Sequence, residues 1–317
     1  MRIHLQNPID DPLFHFSPDM WDEPGHDISI GSTPEDLAAA LTEAEALVCD
    51  AGVIKRNFPC PAPHLKLLFA TNAGLERLAP FDWLPPGVAL MNNRGTHATK
   101  AGEFGIMAVL MLASRVPAMV THQRAGRWQK IWGNVASGRR ITIVGLGVLG
   151  GAVAAHAQHF GMQVTGVRTT AAPHPDCDRV VSADDLDSVL PETDFLVLAC
   201  PLTERTRGLM DRRRLGLLPA GAGIVNIGRG RLMDQDALCD LLNSEHLSGA
   251  VLDVFVPEPV PPGHRLWSTR NLIVSPHTSA DDPDTYNRHS LAIFAENLRA
   301  YEAGQPLPNL FDIVRGY

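Results

Sequence analysis

The sequence predicts an α/β protein of two domains, one of which is built on a doubly wound parallel sheet. The chain has 317 residues, and at roughly 100 to 200 residues per domain this length favours two domains. Short apolar runs bounded by turn residues recur along the chain, a pattern typical of buried parallel strands. Helical stretches separate most of these runs, which favours right-handed crossovers and a layered α/β structure.

The first part of the chain contains five apolar runs that predict strands. They cover residues 1–5, 28–30, 46–49, 65–71 and 88–91. In residues 32–36 a capping hydroxyl precedes Pro34 and two acidic residues, and an apolar-periodic stretch follows. A capping residue followed by proline at the first helical position predicts that an amphipathic helix begins here.

The second part of the chain predicts one long helix and then a second series of strands. Residues 98–124 carry apolar side chains at helical spacing, which predicts a largely buried helix with a kink or break near Pro117. Six further apolar runs predict strands at residues 141–144, 163–167, 195–199, 223–227, 250–254 and 272–275. Residues 283–303 predict a last helix. Six strands, mostly separated by helices, suit a doubly wound sheet.

Composition and charge exclude several classes of protein. Hydrophobic residues make up 45% and charged residues 20% of the chain, which excludes a wholly disordered or fibrous chain. The net charge is -8, the wrong sign for a protein that binds a phosphate backbone, so we expect no nucleic-acid partner. No uncharged apolar run approaches the ~20 residues that a bilayer span needs, so we expect no membrane segment.

The cysteines and the N-terminal residues predict a cytoplasmic protein without a metal. The five cysteines are odd in number, widely spaced and without a C-x-x-C pair, which favours neither a disulfide framework nor a thiolate zinc site. We expect them to be small buried side chains in a reducing compartment. The first fourteen residues lack the continuous apolar stretch of a secretory signal.

The strongest local signal is a glycine-rich turn at residues 141–150, where an apolar strand runs into G-x-G-x-x-G and then into a helical stretch. Gly145 permits the tight turn, Gly147 lets the backbone approach a pyrophosphate, and Gly150 lets the helix pack closely on the strand. The helix N-terminus then faces the anion. The order of strand, glycines, helix and next strand predicts a Rossmann domain that binds a dinucleotide.

The end of the next strand predicts which dinucleotide is bound. An Asp or Glu about 20 residues after the glycines would accept a hydrogen bond from a free ribose 2′-hydroxyl. This sequence has Arg168 there, followed by Thr169 and Thr170, and no acid appears until Asp176. A guanidinium beside two hydroxyls suits a 2′-phosphate. We therefore expect NADP(H) to be preferred and NAD to remain possible; the alternative is a solvated arginine with mixed cofactor use.

Three later segments, each following a predicted strand, carry an arginine, a glutamate and a histidine. They are Asn-Ile-Gly-Arg-Gly-Arg-Leu-Met-Asp at 226–234, Leu-Asp-Val-Phe-Val-Pro-Glu-Pro at 252–259 and Ser-Pro-His-Thr-Ser-Ala at 275–280. Together with the glycine-rich turn and residues 200–208, they resemble the D-isomer-specific 2-hydroxyacid dehydrogenase family. Within that family the chain looks most like glyoxylate and hydroxypyruvate reductases. Two positions depart from the family pattern: Val148 replaces a frequent arginine, and Glu76 replaces a common aspartate.

The resemblance implies a division of the chain and a pair of binding loops. Residues 1–96 with 283–317 would form a flavodoxin-like α/β substrate domain, and residues 97–282 the dinucleotide-binding domain, the two closing over a cleft. Ala73 and Gly74 would offer backbone N–H groups to the substrate carboxylate. Asp253 would contact the nicotinamide amide; the alternative is that it caps a helix or a turn.

The chemistry of 2-oxo acid reduction assigns roles to the three later residues. The reaction needs a hydride donor, a proton donor for the developing alkoxide and a cation for the carboxylate and carbonyl. Arg229 can supply a bidentate cation and would bind substrate, and His277 can supply the proton. Glu258 would hydrogen-bond the other ring nitrogen, fix its tautomer and favour the protonated imidazole.

The expected dinucleotide-binding residues include those that the resemblance adds around the glycine-rich turn. They are Gly145, Gly147, Val148, Leu149, Gly150, Arg168, Thr169, Thr170, Cys200, Pro201, Thr206, Ile227, Gly228, Asp253 and Ser279.

Alternatives remain open for activity, substrate and assembly. The same fold serves nucleotide-sensing corepressor-like proteins, so fold alone does not decide the activity. A bulkier or a phosphorylated 2-hydroxy acid is also compatible with the sequence. The resemblance implies a homodimer, with the helix from Ala98 as the expected contact, and places the Trp-bearing segment 124–132 at the dimer contact or the substrate rim.

Overall fold

The computed structural model describes residues 1–8, 11, 14–21 and 23–313. The chain divides into two compact units, Met1–Thr96 with Asp282–Tyr317 and His97–Asp281. The expected division differs from this one only in placing residue 282 in the second domain. Residues 9–10, 12–13, 22 and 314–317 of the expected substrate domain lie outside the described residues. The roles assigned to the two domains stay predictions.

The first unit contains a five-stranded parallel sheet within its described residues. Its strands are β1 (Arg2–Gln6), β2 (Asp27–Gly31), β3 (Ala46–Cys49), β4 (Leu67–Ala70) and β5 (Ala89–Asn92). The spatial order is β2-β1-β3-β4-β5, which is the flavodoxin-like order predicted for this part of the chain. Its α-helices are α1 (Pro34–Leu41), α2 (Ala51–Asn57) and the C-terminal helix α9 (Tyr286–Glu302).

Helix α1 begins as the sequence predicts. Thr33 is the N-cap, its hydroxyl accepts a hydrogen bond from the Asp36 backbone N–H, and Asp36 accepts one from the Thr33 N–H. This reciprocal pair satisfies two of the donors that a helix start leaves open. Helices α1 and α2 cover one face of the sheet, while Phe294 of α9 packs on Phe69 of β4 on the other.

The second unit contains a seven-stranded parallel sheet with the spatial order β12-β11-β10-β9-β6-β7-β8. The strands are β6 (Arg140–Val144), β7 (Gln163–Arg168), β8 (Arg179–Ser182), β9 (Phe195–Leu198), β10 (Gly223–Asn226), β11 (Gly249–Leu252) and β12 (Leu272–Val274). Counted from β6 this is the doubly wound order 3-2-1-4-5-6 with one strand added. The predicted fold class is confirmed. Strand β8 was not predicted, because only two valines, between Arg179 and Ser182, form its apolar core and it pairs with β7 at the edge of the sheet.

The helices of the second unit lie between the strands. They are α3 (Ala98–Ala113), α4 (Val116–Arg124), α5 (Val148–His159), α6 (Leu186–Val189), α7 (Arg212–Leu215) and α8 (Gln235–Asn243). The predicted long helix is two helices that meet at an angle of 68°. The break lies at Arg115, whose φ is 60°, so that Pro117 falls in the first turn of α4, where a missing N–H costs nothing. Among the described residues no single helix is long and apolar enough to cross a membrane, and the pair α3 and α4 passes that test only when the two are joined across this bend.

The strand order places the site at one edge of the second sheet. Strands β6 and β9 are neighbours, and the chain leaves β6 towards one side and β9 towards the other. Ligands of doubly wound sheets bind outside the carboxyl ends of the strands at such a reversal. The loops after β6, β7, β9, β10, β11 and β12 all leave the sheet at this edge.

Candidate active site

The turn after β6 holds the backbone too close to its neighbours for any side chain. Gly145 has φ 96°, and a Cβ there would lie 2.6 Å from the backbone of Cys200. A Cβ on Gly150 would lie 1.8 Å from the carbonyl oxygen of Gly145. Real Cβ atoms do not come this close, so both positions require glycine. Together they let α5 begin directly against the end of β6.

The middle glycine of the turn is different, because protein atoms leave it room. Gly147 is the N-cap of α5, is exposed, has φ -78° and would carry a Cβ with no heavy atom within 4 Å. Val148 and Leu149 follow as the first, half-buried residues of the helix. The open space therefore faces the N-terminus of a twelve-residue helix, where unpaired backbone N–H groups attract an anion. This cradle fits the pyrophosphate of a dinucleotide.

The loop after β9 forms the next wall of the site. Thr206 holds it together, because its hydroxyl donates to the Pro201 carbonyl at 2.7 Å and accepts from the Thr203 N–H at 2.7 Å. Cys200 packs between two glycines, since a Cβ on Gly228 would lie 2.9 Å from its carbonyl oxygen. Burial raises the pKa of the Cys200 thiol to about 12, so this cysteine stays protonated and serves in packing. The expected residues of this loop thus lie beside the glycine-rich turn.

Arg168 is the last residue of β7, next to the glycine-rich turn. Thr169 and Thr170 follow it and are exposed. Burial raises the pKa of the Cys177 thiol to about 11, and the nearby Arg168 guanidinium offsets part of that rise. Arg168 therefore carries its charge at the carboxyl end of β7, beside the turn that would hold the pyrophosphate.

Asn226, the last residue of β10, shapes the turn that carries Arg229. Its Oδ1 accepts from the Gly228 N–H at 3.0 Å, and its Nδ2 donates to the Arg229 carbonyl at 3.1 Å. Ile227 and Gly228 are buried within this turn. The Arg229 side chain is partly exposed and donates from Nη1 to the Gly228 carbonyl at 2.8 Å. The turn thus places a partly exposed guanidinium at the carboxyl edge of the sheet.

A close backbone contact joins the Arg229 turn to the loop that carries Glu258. A Cβ on Gly230 would lie 2.3 Å from the carbonyl carbon and oxygen of Phe255, so glycine is required there as well. Gln235 fastens the same loop, because its amide donates to the Val256 carbonyl at 2.6 Å and accepts from the Val256 N–H at 2.9 Å. These contacts bring two of the three expected reaction segments together.

Glu258 and His277 form the central pair of the site. Glu258 Oε1 accepts from the Phe255 N–H at 2.7 Å, and its Oε2 lies 2.8 Å from His277 Nδ1. Because an ionised carboxylate only accepts hydrogen bonds, Nδ1 carries the proton and Nε2 is the nitrogen left for another partner. The two side chains are 36% and 47% exposed, so a substrate can reach them. His277 itself has φ 59°, the left-handed region.

Asp253 lies at the end of β11, just behind this pair. It is 2% exposed, and its carboxylate accepts hydrogen bonds from Ser275, Thr278 and Ser279. Ser279, expected at the cofactor, is buried and gives both its N–H and its hydroxyl to Asp253. The nicotinamide contact expected of Asp253 stays a prediction.

The expected carboxylate loop of the first unit follows β4. Asn92 Nδ2 donates to the Ala73 carbonyl at 2.9 Å, and the Asn72 Oδ1 accepts from the Ala51 N–H at 2.6 Å. These bonds hold the Ala73 carbonyl and the side chain of the preceding Asn72. The binding role assigned to Ala73 and Gly74 stays a prediction.

Sequence reasoning missed three side chains that organise these loops. Asn92, Asn226 and Gln235 each bond a backbone group of a segment that carries an expected site residue. A strand that ends in asparagine gives a weak signal for the first two, since this side chain commonly bonds nearby backbone groups. Gln235 bonds a segment 21 positions away, which no local pattern predicts. In the described part of the chain no group of His, Cys, Asp and Glu is placed to hold a metal ion.

The chain is similar to known proteins in both sequence and structure. Residues 106–279 match the model of the D-isomer specific 2-hydroxyacid dehydrogenase NAD binding domain. The chain is 31% identical over 255 residues to a glyoxylate reductase of Korarchaeum cryptofilum, covering 78% of this chain and 76% of that protein. It is also 31% identical over 274 residues to glyoxylate/hydroxypyruvate reductase B of Yersinia pestis, covering 83% and 84%.

A solved structure agrees over almost the full length. The D-isomer specific 2-hydroxyacid dehydrogenase of Xanthobacter autotrophicus Py2, in complex with NADPH and MES, superposes with a TM-score of 0.82 at 29% identity, covering 99% of each chain. The matched segment 106–279 contains the glycine-rich turn and the reaction segments described above. Fold, site and relatives therefore agree on an NAD(P)-dependent oxidoreductase.

The glycine-rich turn gives a prediction that separates binding from folding. Gly147→Ala should weaken binding of the reduced dinucleotide at least tenfold, since its methyl group would occupy the space that faces the pyrophosphate. Its stability should fall by no more than about 1 kcal/mol, because alanine is a poorer N-cap than glycine. Gly150→Ala should instead lower the melting temperature strongly, because its Cβ would meet the Gly145 carbonyl. Fluorescence titration and thermal melts measure the two effects, and equal loss of stability in both variants would contradict the assignment.

Proposed function

The chain belongs to the D-isomer specific 2-hydroxyacid dehydrogenase family, and we propose that it reduces a small 2-oxo acid of the glyoxylate or hydroxypyruvate type to the D-2-hydroxy acid with NADPH. The observation that carries the proposal is the 2.8 Å contact between Glu258 and His277, on a loop that packs against the Arg229 turn. The relatives named as glyoxylate and hydroxypyruvate reductases support this substrate class.

His277 acts as the general acid of the reduction. Glu258 accepts a hydrogen bond from Nδ1–H and stabilises the imidazolium, so Nε2–H is the group that protonates the developing alkoxide. Glu258 is itself held by the Phe255 N–H, which leaves one carboxylate oxygen free to orient the ring. The pair therefore keeps the ring in one tautomer and returns to its starting state when a solvent proton replaces the one given up.

Arg229 binds the carboxylate of the substrate and polarises its carbonyl oxygen. A guanidinium offers two parallel N–H donors to a carboxylate, and a fixed cation stabilises the negative charge that develops on the carbonyl oxygen. The Asn226 contacts fix the turn so that the cation is in place before the reaction begins. The backbone N–H groups of Ala73 and Gly74 complete the carboxylate contacts in this proposal.

NADPH bound on the glycine-rich turn supplies the hydride. The cradle at Gly147 holds the pyrophosphate, and Arg168 with Thr169 and Thr170 binds the ribose 2′-phosphate through charge-assisted hydrogen bonds. The NADPH complex of the Xanthobacter protein supports this choice of cofactor. NAD remains a possible second cofactor, because the glycine-rich turn binds the pyrophosphate, which both dinucleotides have.

The proposal extends to domain roles, assembly and location. Residues 1–96 with 283–317 act as the substrate domain and 97–282 as the cofactor domain, in a homodimer. Trp128 and Trp132 are 98% and 81% exposed, and such exposed aromatic side chains are typical of a surface that a second chain covers. The five free cysteines support a cytoplasmic location. Sedimentation of the full chain measures the assembly.

The activity itself is tested by loss of NADPH absorbance with glyoxylate, hydroxypyruvate and bulkier 2-oxo acids. His277→Ala should lower turnover by roughly 10² to 10⁴, the usual contribution of a positioned general acid. Arg229→Ala should lower kcat/KM by about 2.7 to 4 kcal/mol in equivalent free energy. The exposed His64→Ala is the matched control and should behave as wild type. Absence of turnover with every acid in the panel, despite NADPH binding, would favour a nucleotide-sensing binding protein.

The charge of Glu258 gives a prediction about pH. Reduction needs a protonated imidazole, which the negative charge of Glu258 stabilises. Glu258→Gln removes that charge, so reductase activity should be lost at a lower pH in the variant than in the wild-type chain. Turnover against pH measures it, with the exposed Glu204→Gln as control. A profile that does not move would remove Glu258 from the mechanism.

The charge of Arg168 gives a prediction about cofactor choice. Arg168→Ser should weaken NADPH binding by roughly 10- to 100-fold, the equivalent of one or two hydrogen bonds to a charged group. NADH binding should change little, because NADH has no 2′-phosphate. Arg179→Ser on the neighbouring strand β8 removes the same charge and should leave both affinities near wild type. An equal loss for the two cofactors in Arg168→Ser would refute the 2′-phosphate contact.

A further inference from the structure

The structure assigns Asp253, with Ser275 and Ser279, to a second role: we propose that they are positioning residues that hold His277 in its left-handed backbone conformation and so direct its ring to Glu258. This inference rests on the proposed function of His277. It differs from the nicotinamide contact expected of Asp253, because it acts in the protein before any cofactor binds.

The Asp253 carboxylate gathers donors from both ends of one short loop. Oδ1 accepts from the Ser275 hydroxyl at 2.7 Å, the Thr278 N–H at 2.9 Å and the Ser279 N–H at 3.1 Å. Oδ2 accepts from the Ser279 hydroxyl at 2.6 Å. Removal of this buried carboxylate or of its donors would leave buried polar groups without hydrogen-bond partners.

These contacts force the chain to reverse between Ser275 and Thr278. Donors from residues 275 and 278 meet on the same oxygen, and the chain bends at His277 between them. Proline followed by a residue of positive φ is the order of a type II turn, which normally has glycine in the second position. His277 occupies that position with φ 59°.

The left-handed conformation is unfavourable for histidine and needs an external cause. A residue with a Cβ is less stable in this region than in the right-handed one, and such residues persist where the surrounding structure fixes them. In a type II turn the N–H of the fourth residue commonly bonds the first carbonyl; here the Thr278 N–H bonds Asp253 instead. The carboxylate therefore closes the turn.

The position of the ring follows from this turn. His277 is at the apex of the loop, and its ring reaches Glu258 Oε2 at 2.8 Å, from a loop 19 positions earlier in the chain. Glu258 is fixed by the Phe255 N–H, and Asp253 itself is fixed at the end of β11 by its N–H bond to the Asn226 carbonyl. Release of the loop from Asp253 would let His277 relax to negative φ and turn its ring away.

The first experiment measures backbone strain without using activity. His277→Gly and His277→Ala both remove the ring, but only glycine accepts positive φ without strain. The glycine variant should melt higher, by on the order of 2 °C. In a Ser275→Ala/Ser279→Ala background the anchored loop is loosened, and this advantage should vanish or reverse. The same advantage in both backgrounds would overturn the proposal.

The second experiment reads the ring itself in the protein without cofactor. Near pH 8.5, well above the reference value of about 6.5 for imidazole, the 15N shifts of His277 should report a proton on Nδ1. Ser275→Ala/Ser279→Ala should shift the ring toward a mixture of tautomers and lower kcat at least tenfold. Asp253→Ala should show the same changes more strongly, provided that it folds; the serine double variant tests the proposal in either case.

Two results would overturn the proposal. A tautomer unchanged in the serine double variant means that the loop does not position the ring. Loss of NADPH affinity with an unchanged ring in Asp253→Ala assigns Asp253 to the nicotinamide alone. Ser268→Ala, whose exposed hydroxyl bonds the Arg265 carbonyl, is the control and should match wild type. Failure of the proposed function would be separate, since the wild-type chain would then lack reductase activity whatever the ring does.

Discussion

The site depends on close approach between backbone segments at the carboxyl edge of the second sheet. Gly145 lies against the backbone of Cys200, and Gly230 lies against the carbonyl of Phe255. A methyl group at either position would separate loops that now touch. Because these contacts involve main chain on both sides, they fix the relative positions of loops from non-consecutive strands more firmly than contacts between flexible side chains could. The cofactor cradle and the reaction loops are thus parts of one packed arrangement.

Within that arrangement the carboxylates of Asp253 and Glu258 have different roles, because they have different hydrogen-bond partners. Asp253 is buried, and its carboxylate accepts hydrogen bonds from the backbone N–H groups of Thr278 and Ser279. It therefore holds the backbone of the loop that carries His277. Glu258 is partly exposed and gives one oxygen to the Phe255 N–H, which leaves the other for the ring of His277. The first carboxylate fixes where the ring is, and the second fixes which nitrogen carries the proton.

The sequence was sufficient to predict the fold, and it was insufficient to predict the contacts that hold the loops of the expected site. Apolar runs and intervening helices predicted two parallel sheets. The G-x-G-x-x-G pattern predicted where strand β6 ends and helix α5 begins. Strand β8 was not predicted, because its sequence is short and mixes polar with apolar residues. The contacts of Gln235 with Val256 join segments far apart in the chain. Such contacts depend on the spatial order of the strands, which local sequence patterns do not give.

The glycine-rich motif contains positions that the fold itself requires and positions that it does not. Val148, one of the two departures from the family pattern, is of the second kind. Gly145 and Gly150 are required by neighbouring backbone, whereas Gly147 has open space around it and is required only if a ligand approaches. Val148 is the first residue of α5 and half-buried; its side chain follows a turn already set by the two crowded glycines. A change there can add or remove a contact to a bound anion without disturbing the turn. The motif therefore combines positions fixed by folding with positions open to adjustment for the ligand.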